Sequence, residues 1–184
     1  MTYVVPLFST LNLLGVDLST AGYDQPYTAT ATNPSTPEYP SAPFAIGTEI
    51  INSSIGRAVY ATANTAINQG NCCVLTKAFS AIPITSAIAA TSLNLQLGVA
   101  MSTAMTTGQY GWFMTEGILP SGVTVTASIA QNVTLYTTAT AGVLGAIATG
   151  SSYTISGIST TTTSAATAGA YACTITNIAI GAAN

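Results

Sequence analysis

The sequence is almost without charge and contains no histidine. Its 184 residues include two basic and five acidic side chains, so charged residues make up 4% of the chain, against about 25% in an ordinary domain. No cluster of Lys and Arg is present to neutralise phosphates, which argues against nucleic acid as a partner. Without histidine there is no imidazole base and no histidine metal ligand. A surface this poor in charge favours a protein that works inside an assembly.

The sequence patterns of common enzymes are missing as well. No GxSxG motif and no glycine-rich phosphate loop occurs, and only Lys77 is available to activate a serine or threonine nucleophile. Glu49 and Glu116 are the remaining candidates, as a glycosidase pair held within about 10 Å. Both carboxylates are as readily explained by solvation or by pairing with Arg57 or Lys77. We therefore expect no enzymatic activity, no cofactor, no metal and no small-molecule substrate, and keep a Glu49/Glu116 hydrolase as a third hypothesis.

The few cysteines and the apolar runs exclude two further classes. Cys72 and Cys73 are adjacent and point to opposite faces of any strand that contains them, while Cys173 stands alone. This spacing is neither a disulfide framework nor a zinc site, and predicts three buried thiols. The most apolar stretch, residues 78–101, is interrupted by Pro83 and by several Ser, Thr, Asn and Gln residues. It is too broken for a transmembrane helix, so we expect no membrane contact.

Proline separates an N-terminal arm, residues 1–43, from a body, residues 44–184. Proline lacks the N–H that helices and sheets require, so the arm is expected to be extended. Apolar side chains at Leu11, Leu13 and Leu14 are candidate anchors on a partner, and the alternative is a flexible tail. Six of the eight prolines lie in the first 45 residues: Pro6, Pro26, Pro34, Pro37, Pro40 and Pro43.

The body reads as an all-β fold, a compact barrel or sandwich. Short runs rich in Val, Ile, Thr and Tyr are separated by Gly or Pro, as in proteins built of many short strands. In the segment 122–126 valines alternate with threonines, which predicts valines inward and threonines outward. Only one short helical turn is expected, within residues 78–90. The predicted strands are 45–52, 57–64, 72–76, 93–100, 110–116, 123–127, 134–138, 153–158 and 171–178, with a hairpin turn at 53–56.

The body also contains a weak internal repeat, about 57–117 and 123–178. Residues 66–73 align with residues 128–135, so that an Ile and a Gln coincide in both. Residues 97–103 then align with 156–162, and residues 108–111 with 169–172, always about 60 residues apart. The alignment predicts two similar β units within one body. The alternative is chance similarity between two segments rich in Thr and Ala.

One segment, Gly108-Gln-Tyr-Gly-Trp112, concentrates aromatic residues. On a strand, Tyr110 and Trp112 share one face and Phe113 takes the other. The pair is a candidate contact to another subunit or to a capsid, or a stacking platform for a sugar. Packing in the core is the ordinary alternative.

With this segment the body resembles the small capsid decoration, or cement, proteins of tailed bacteriophages. The resemblance covers residues 44–178, and its most specific part is Gly-Gln-Tyr-Gly-Trp after the Gly98-Val-Ala100 strand. Weaker parts are Phe44 with Gly47-Thr48, the Gly56–Ala61 segment, and the 127–142 region. The proline-rich arm has no counterpart in it.

The resemblance implies a structural protein of the virion on the outer surface of the capsid. Such a protein is made in the host cytoplasm, binds the major capsid protein, often as a homotrimer, and cements neighbouring subunits against internal pressure. It has no active site. The alternative function is a carbohydrate- or receptor-binding module that uses Tyr110 and Trp112.

Overall fold

The computed structural model describes residues 44–52, 56–163 and 167–183. The chain in these ranges is almost entirely β, as the predicted runs of Val, Ile and Thr require. The single helix is one turn, capped by the Thr85 hydroxyl, which accepts from the Ile88 N–H at 3.2 Å. The elements are β1 (Glu49–Asn52), β2 (Gly56–Ala63), β3 (Cys72–Leu75), β4 (Ser80–Pro83), α1 (Ser86–Ala89), β5 (Gln96–Ala100), β6 (Tyr110–Val125), β7 (Leu135–Thr137), β8 (Leu144–Gly145), β9 (Tyr153–Thr160) and β10 (Gly169–Ala183).

Five strands close into a barrel in the order β2, β4, β3, β5 and β6. Strand β2 runs parallel to β4, and the other four pairings are antiparallel. The ring closes where β6 returns to β2, with Tyr60 opposite Trp112. Because each strand has neighbours on both sides, closure removes the open edges of a flat sheet. The all-β prediction is confirmed, and a closed barrel is present.

The C-terminal half of β6 joins four further strands in a second ring, in the order β6, β8, β7, β9 and β10. Here β6 runs parallel to β8 through Val125 and Leu144, and the other pairings are antiparallel. The long strand β6 therefore belongs to both rings. Strand β1 lies outside them and pairs with β2 as a hairpin. The turn of that hairpin, residues 53–55, falls outside the described residues, as does the predicted arm.

The pairings in the two rings follow one pattern. In the first ring Ala63 is opposite Ala81, and in the second Val125 is opposite Leu144, 62 and 63 residues further along. Both rings also place a left-handed residue after the first strand, Gly70 with φ 82° and Asn132 with φ 57°. Glycine and asparagine are the residues that tolerate this conformation.

Strand β6 differs from the sequence prediction, which divided it into 110–116 and 123–127. The strand is continuous because Gly117 and Gly122 take positive φ angles of 123° and 78° that redirect the backbone without ending the pairing. Pro120 cannot donate to a ladder. It lies where the partner register moves from Cys173 to Tyr171, a bulge that leaves it unpaired. Strands β4 and β8 were not predicted at all.

The interior is divided among three clusters of buried side chains. The cluster inside the first ring includes Ala61, Cys73 and Phe113. The largest cluster joins the outward face of first-ring strands to the interior of the second ring, and includes Cys72 and Leu135. The two adjacent cysteines therefore point to opposite faces of β3, as predicted. The third cluster, on the outer face of the first ring, is aromatic. The inward valines of 122–126 are confirmed too, since Val123 and Val125 are fully buried.

Candidate functional site

The Gly108–Trp112 segment forms the turn that begins β6. Gly108 has φ 84°, and its N–H donates to the Ala63 carbonyl at 2.8 Å. The side-chain Oε1 of Gln109 accepts from the Thr106 N–H at 2.7 Å, which closes the turn. The Ala63 N–H donates to the Gln109 carbonyl at 2.7 Å. The first two residues of the motif thus join the end of β2 to the start of β6.

The second glycine of the motif, Gly111, is required by close packing inside the first ring. A Cβ at Gly111 would lie 2.5 Å from Met105 Sδ and 2.6 Å from Ser102 Oγ. Real side-chain carbons do not approach that closely, so only glycine fits without a shift of the neighbours. Fully buried Ser102 in turn accepts from the Trp112 N–H at 3.1 Å. The residues that carry the resemblance are therefore explained locally by turn geometry and packing.

Tyr110 and Trp112 share a face, as predicted, and pack into an aromatic cluster with Phe44 and Tyr60. Ring centroids lie 4.9 Å apart for Tyr60 and Trp112, and 5.2 Å apart for Phe44 and Trp112. Tyr60 and Tyr110 stack at 6.0 Å, and Phe44 meets Tyr60 edge-on at 5.4 Å. These are favourable aromatic geometries. Phe113 lies on the opposite face, inside the barrel.

Burial limits what this cluster presents to solvent. The Trp112 indole is 3% exposed, and Tyr110 is partly exposed. A sugar platform needs an open aromatic face, so the indole does not offer one in this conformation. The predicted contact residues Leu11, Leu13 and Leu14 lie outside the described residues.

The two candidate carboxylates are on strands that are not neighbours. Glu49 is on β1 and Glu116 on β6, with β2 between them. Glu116 is directly opposite Arg57 in the β2–β6 register. The sequence left solvation or pairing with a basic side chain open for this carboxylate. Its position in the sheet is compatible with pairing to Arg57.

Arg57 and Glu116 also line a polar groove that sequence reasoning missed. The groove has a volume of about 210 Å³. It brings together residues far apart in the chain because β2, β5, β6 and β10 converge there. From the sequence, only the proximity of Arg57 and Glu116 could have been anticipated, because their charges are opposite. Its lining consists of Arg57, Gln96, Thr115, Glu116, Thr176 and Asn177.

The three cysteines are buried and free, as predicted. Burial raises the pKa of Cys72 to about 12, and proximity to Cys173 adds to the shift. Burial likewise raises the pKa of Cys173 to about 11, which a hydrogen bond with the Val123 backbone partly offsets. The pKa of Cys73 is raised in the same direction by burial. Since the thiolate is the nucleophile, these thiols are unreactive near neutral pH.

Within residues 44–52, 56–163 and 167–183, no group of three or more Cys, Asp or Glu side chains is arranged to hold a metal ion. No helix there is long and apolar enough to span a membrane.

No family model matches the sequence, and no curated protein matches it.

Proposed function

We propose that this protein is a structural component of a virion that binds the outer surface of a phage capsid and cements neighbouring major capsid subunits. The observation that carries the proposal is the nature of the body's surface. Only Glu49, Arg57, Lys77 and Glu116 are charged within the described ranges, and all four are exposed. The rest of that surface offers hydroxyls, amides and apolar groups.

Exposed aliphatic side chains add apolar contact area to this surface. Such side chains suit contacts with packed protein subunits, because burying them stabilises a complex by about 25 cal/mol per Å². Contacts without charge pairs are also insensitive to salt, since screening acts on charges. That property suits a particle released into water of varying salt concentration. The large exposed ones are Ile46, Ile51, Leu93, Ile118 and Ile147.

The barrel supports a mechanical role. A closed ring has few unpaired backbone groups, which protects it from edge-to-edge aggregation. The shared strand β6 links the two rings covalently, and the aromatic cluster braces the outer face of the first ring. We further propose that the rings are two copies of one β unit and that the extended arm, residues 1–43, reaches a neighbouring subunit through Leu11, Leu13 and Leu14.

The proposal includes a homotrimer, no enzymatic activity, and no cofactor. The alternative, a carbohydrate- or receptor-binding module based on Tyr110 and Trp112, has less support because the indole is 3% exposed. The hydrolase hypothesis is weaker still, since β2 separates the strands that carry Glu49 and Glu116.

Quantitative mass spectrometry of purified virions tests the proposal. The virions come from the phage that encodes the chain, and the chain is expected at a constant ratio to the major capsid protein. The ratio should survive washing in high salt and in low salt. Absence of the chain from particles, or its removal by salt alone, would contradict capsid cementing.

A further inference from the structure

We propose that the groove around Arg57 and Glu116 is a binding site for a neutral polyhydroxylated ligand, such as one sugar unit of a glycan. This activity goes beyond capsid binding and does not use the buried indole of Trp112. The groove lies where the two rings meet: its lining comes from β2 and β5 of the first ring, from the shared strand β6, and from β10 of the second ring.

The charges of the groove point to an uncharged ligand. Arg57 and Glu116 are cross-strand partners, so the groove carries one side chain of each charge sign. A phosphate or carboxylate ligand would meet the Glu116 carboxylate, and a cationic ligand would meet the Arg57 guanidinium. Neither sign is favoured. Two of the four charged side chains in the described ranges line this one groove.

The hydrogen-bonding groups of the groove match hydroxyls. The guanidinium only donates, the carboxylate only accepts, and the carboxamides of Gln96 and Asn177 and the threonine hydroxyls do both. Each hydroxyl of a sugar also donates and accepts. Among the described residues no apolar side chain lines the groove, and its volume of about 210 Å³ is below the roughly 300–1,000 Å³ of sites for drug-sized apolar ligands. A small polar ring fits this lining better.

Two of the six lining residues, Thr115 and Asn177, are placed by backbone geometry or by a hydrogen bond to the backbone. Thr115 donates from its hydroxyl to the Arg57 carbonyl at 3.3 Å, which ties β6 to β2. Asn177 has φ 50° and lies where the β10–β9 register shifts between Ile175 and Ala179. Bulges of this kind re-aim a side chain, here that of Asn177 into the groove. Pre-placed polar groups lose little entropy when they bind.

Two exposed isoleucines flank the polar lining. Ile51 is opposite Arg57 on β1 and is 66% exposed, and Ile118 follows two residues after Glu116 and is 56% exposed. A sugar ring presents apolar C–H groups on its faces beside its polar hydroxyls. The isoleucines therefore provide apolar contact next to the hydrogen-bonding groups.

Nuclear magnetic resonance on the full ¹⁵N-labelled chain tests the site. The probes are the methyl glycosides of glucose, galactose, mannose and N-acetylglucosamine, each titrated at millimolar concentrations. At least one is expected to shift the side-chain signals of Arg57, Gln96 and Asn177 together. Asn177→Gly removes the carboxamide but keeps the left-handed backbone accessible, so binding should weaken about tenfold.

The matched control is Asn132→Gly. Asn132 also has a positive φ, 57°, and is not part of the groove lining, so this variant should bind like the natural chain. The proposal is overturned if none of the four probes shifts the groove signals. It is equally overturned if Asn177→Gly binds a probe as tightly as Asn132→Gly does.

Discussion

Ser102 and the backbone of Trp112 are joined by a buried hydrogen bond: the Ser102 Oγ accepts from the Trp112 N–H at 3.1 Å. The same hydroxyl faces the α-carbon of Gly111, where an added Cβ would lie 2.6 Å away. The bond holds the start of β6 against the turn before it. Because fully buried Ser102 has no room to retreat, this junction makes the glycine in the motif necessary.

Gly111→Ala is therefore expected to destabilise the body. Forcing a methyl group into a packed site costs about 1–3 kcal/mol, and the free energy of unfolding measured with urea should fall by that amount. Gly150→Ala is the control, because a Cβ there meets nothing within 4 Å. It should change stability by less than about 0.5 kcal/mol. Equal effects of the two substitutions would contradict the packing described for Gly111.

Trp112 is expected to report its own burial. It is the only tryptophan of the chain and is 3% exposed, so fluorescence should be blue-shifted and poorly quenched by acrylamide until the protein unfolds. Trp112→Ala should lower the free energy of unfolding by about 3–5 kcal/mol. Trp112→Phe keeps an aromatic ring among Phe44 and Tyr60 and should cost less. Strong quenching in the folded state would instead favour an exposed stacking platform.

The buried thiols make stability depend on alkaline pH. Their pKa values rise from the ordinary 9.0 to about 12 for Cys72 and about 11 for Cys173. The unfolded chain releases these protons first, so the stabilisation is complete below pH 9 and is lost as pH rises through 11–12. Urea unfolding between pH 8 and pH 11 should show the decline.

A double variant, Cys72→Ala with Cys173→Ala, isolates the contribution of the two thiols to this pH dependence. The variant should lose part of the pH dependence that the natural chain shows. In addition, a thiol reagent at pH 8 should label the natural chain only in urea. Rapid labelling of the folded chain would show that the cysteines are accessible.

Removal of residues 1–43 is expected to leave the body folded. Phe44 must be retained, because its ring contacts Tyr60 and Trp112 at 5.4 and 5.2 Å. Circular dichroism of the truncated chain should keep its β signal and a cooperative thermal transition, while binding to capsids lacking the protein should weaken. Loss of the transition would mean that the arm is part of the core.

A homotrimer is expected for the purified chain. Association would cover part of a surface on which, within the described residues, five large aliphatic side chains are exposed. A closed, symmetric oligomer does so without leaving a subunit interface unpaired. Light scattering coupled to size-exclusion chromatography should give about three times 18.5 kDa. A stable monomer at micromolar concentration would count against the trimer.

Local patterning determined a large part of this protein from sequence alone. Alternation along a strand decides which side chains share a face, so the inward valines at 123 and 125, the opposed Cys72 and Cys73, and the common face of Tyr110 and Trp112 were all predictable. The scarcity of charged residues and the absence of histidine limited the catalytic and metal-binding chemistry open to the chain. Gly and Pro marked most turns correctly.

Pairing between distant strands was decided only by the tertiary structure. Strand β6 continues through Gly117, Pro120 and Gly122 because a bulge against β10 absorbs the proline, which no local pattern reveals. The strand pairing also differs by one residue from the repeat alignment made from the sequence, which matched Tyr110 with Tyr171. Tyr110 is opposite Thr62, whereas Thr124 is opposite Ala170 and not Tyr171.

Strands β4 and β8 escaped prediction because they have only four and two residues, too few for a pattern of alternation to be recognised. The groove escaped because Arg57, Gln96 and Asn177 are separated by long stretches of sequence. Alternation and turns depend on neighbouring residues, and the scarcity of charge depends on composition, so all three could be read from the sequence. Ring closure, the shared strand β6 and the groove depend on contacts between distant residues, so only the folded chain decides them.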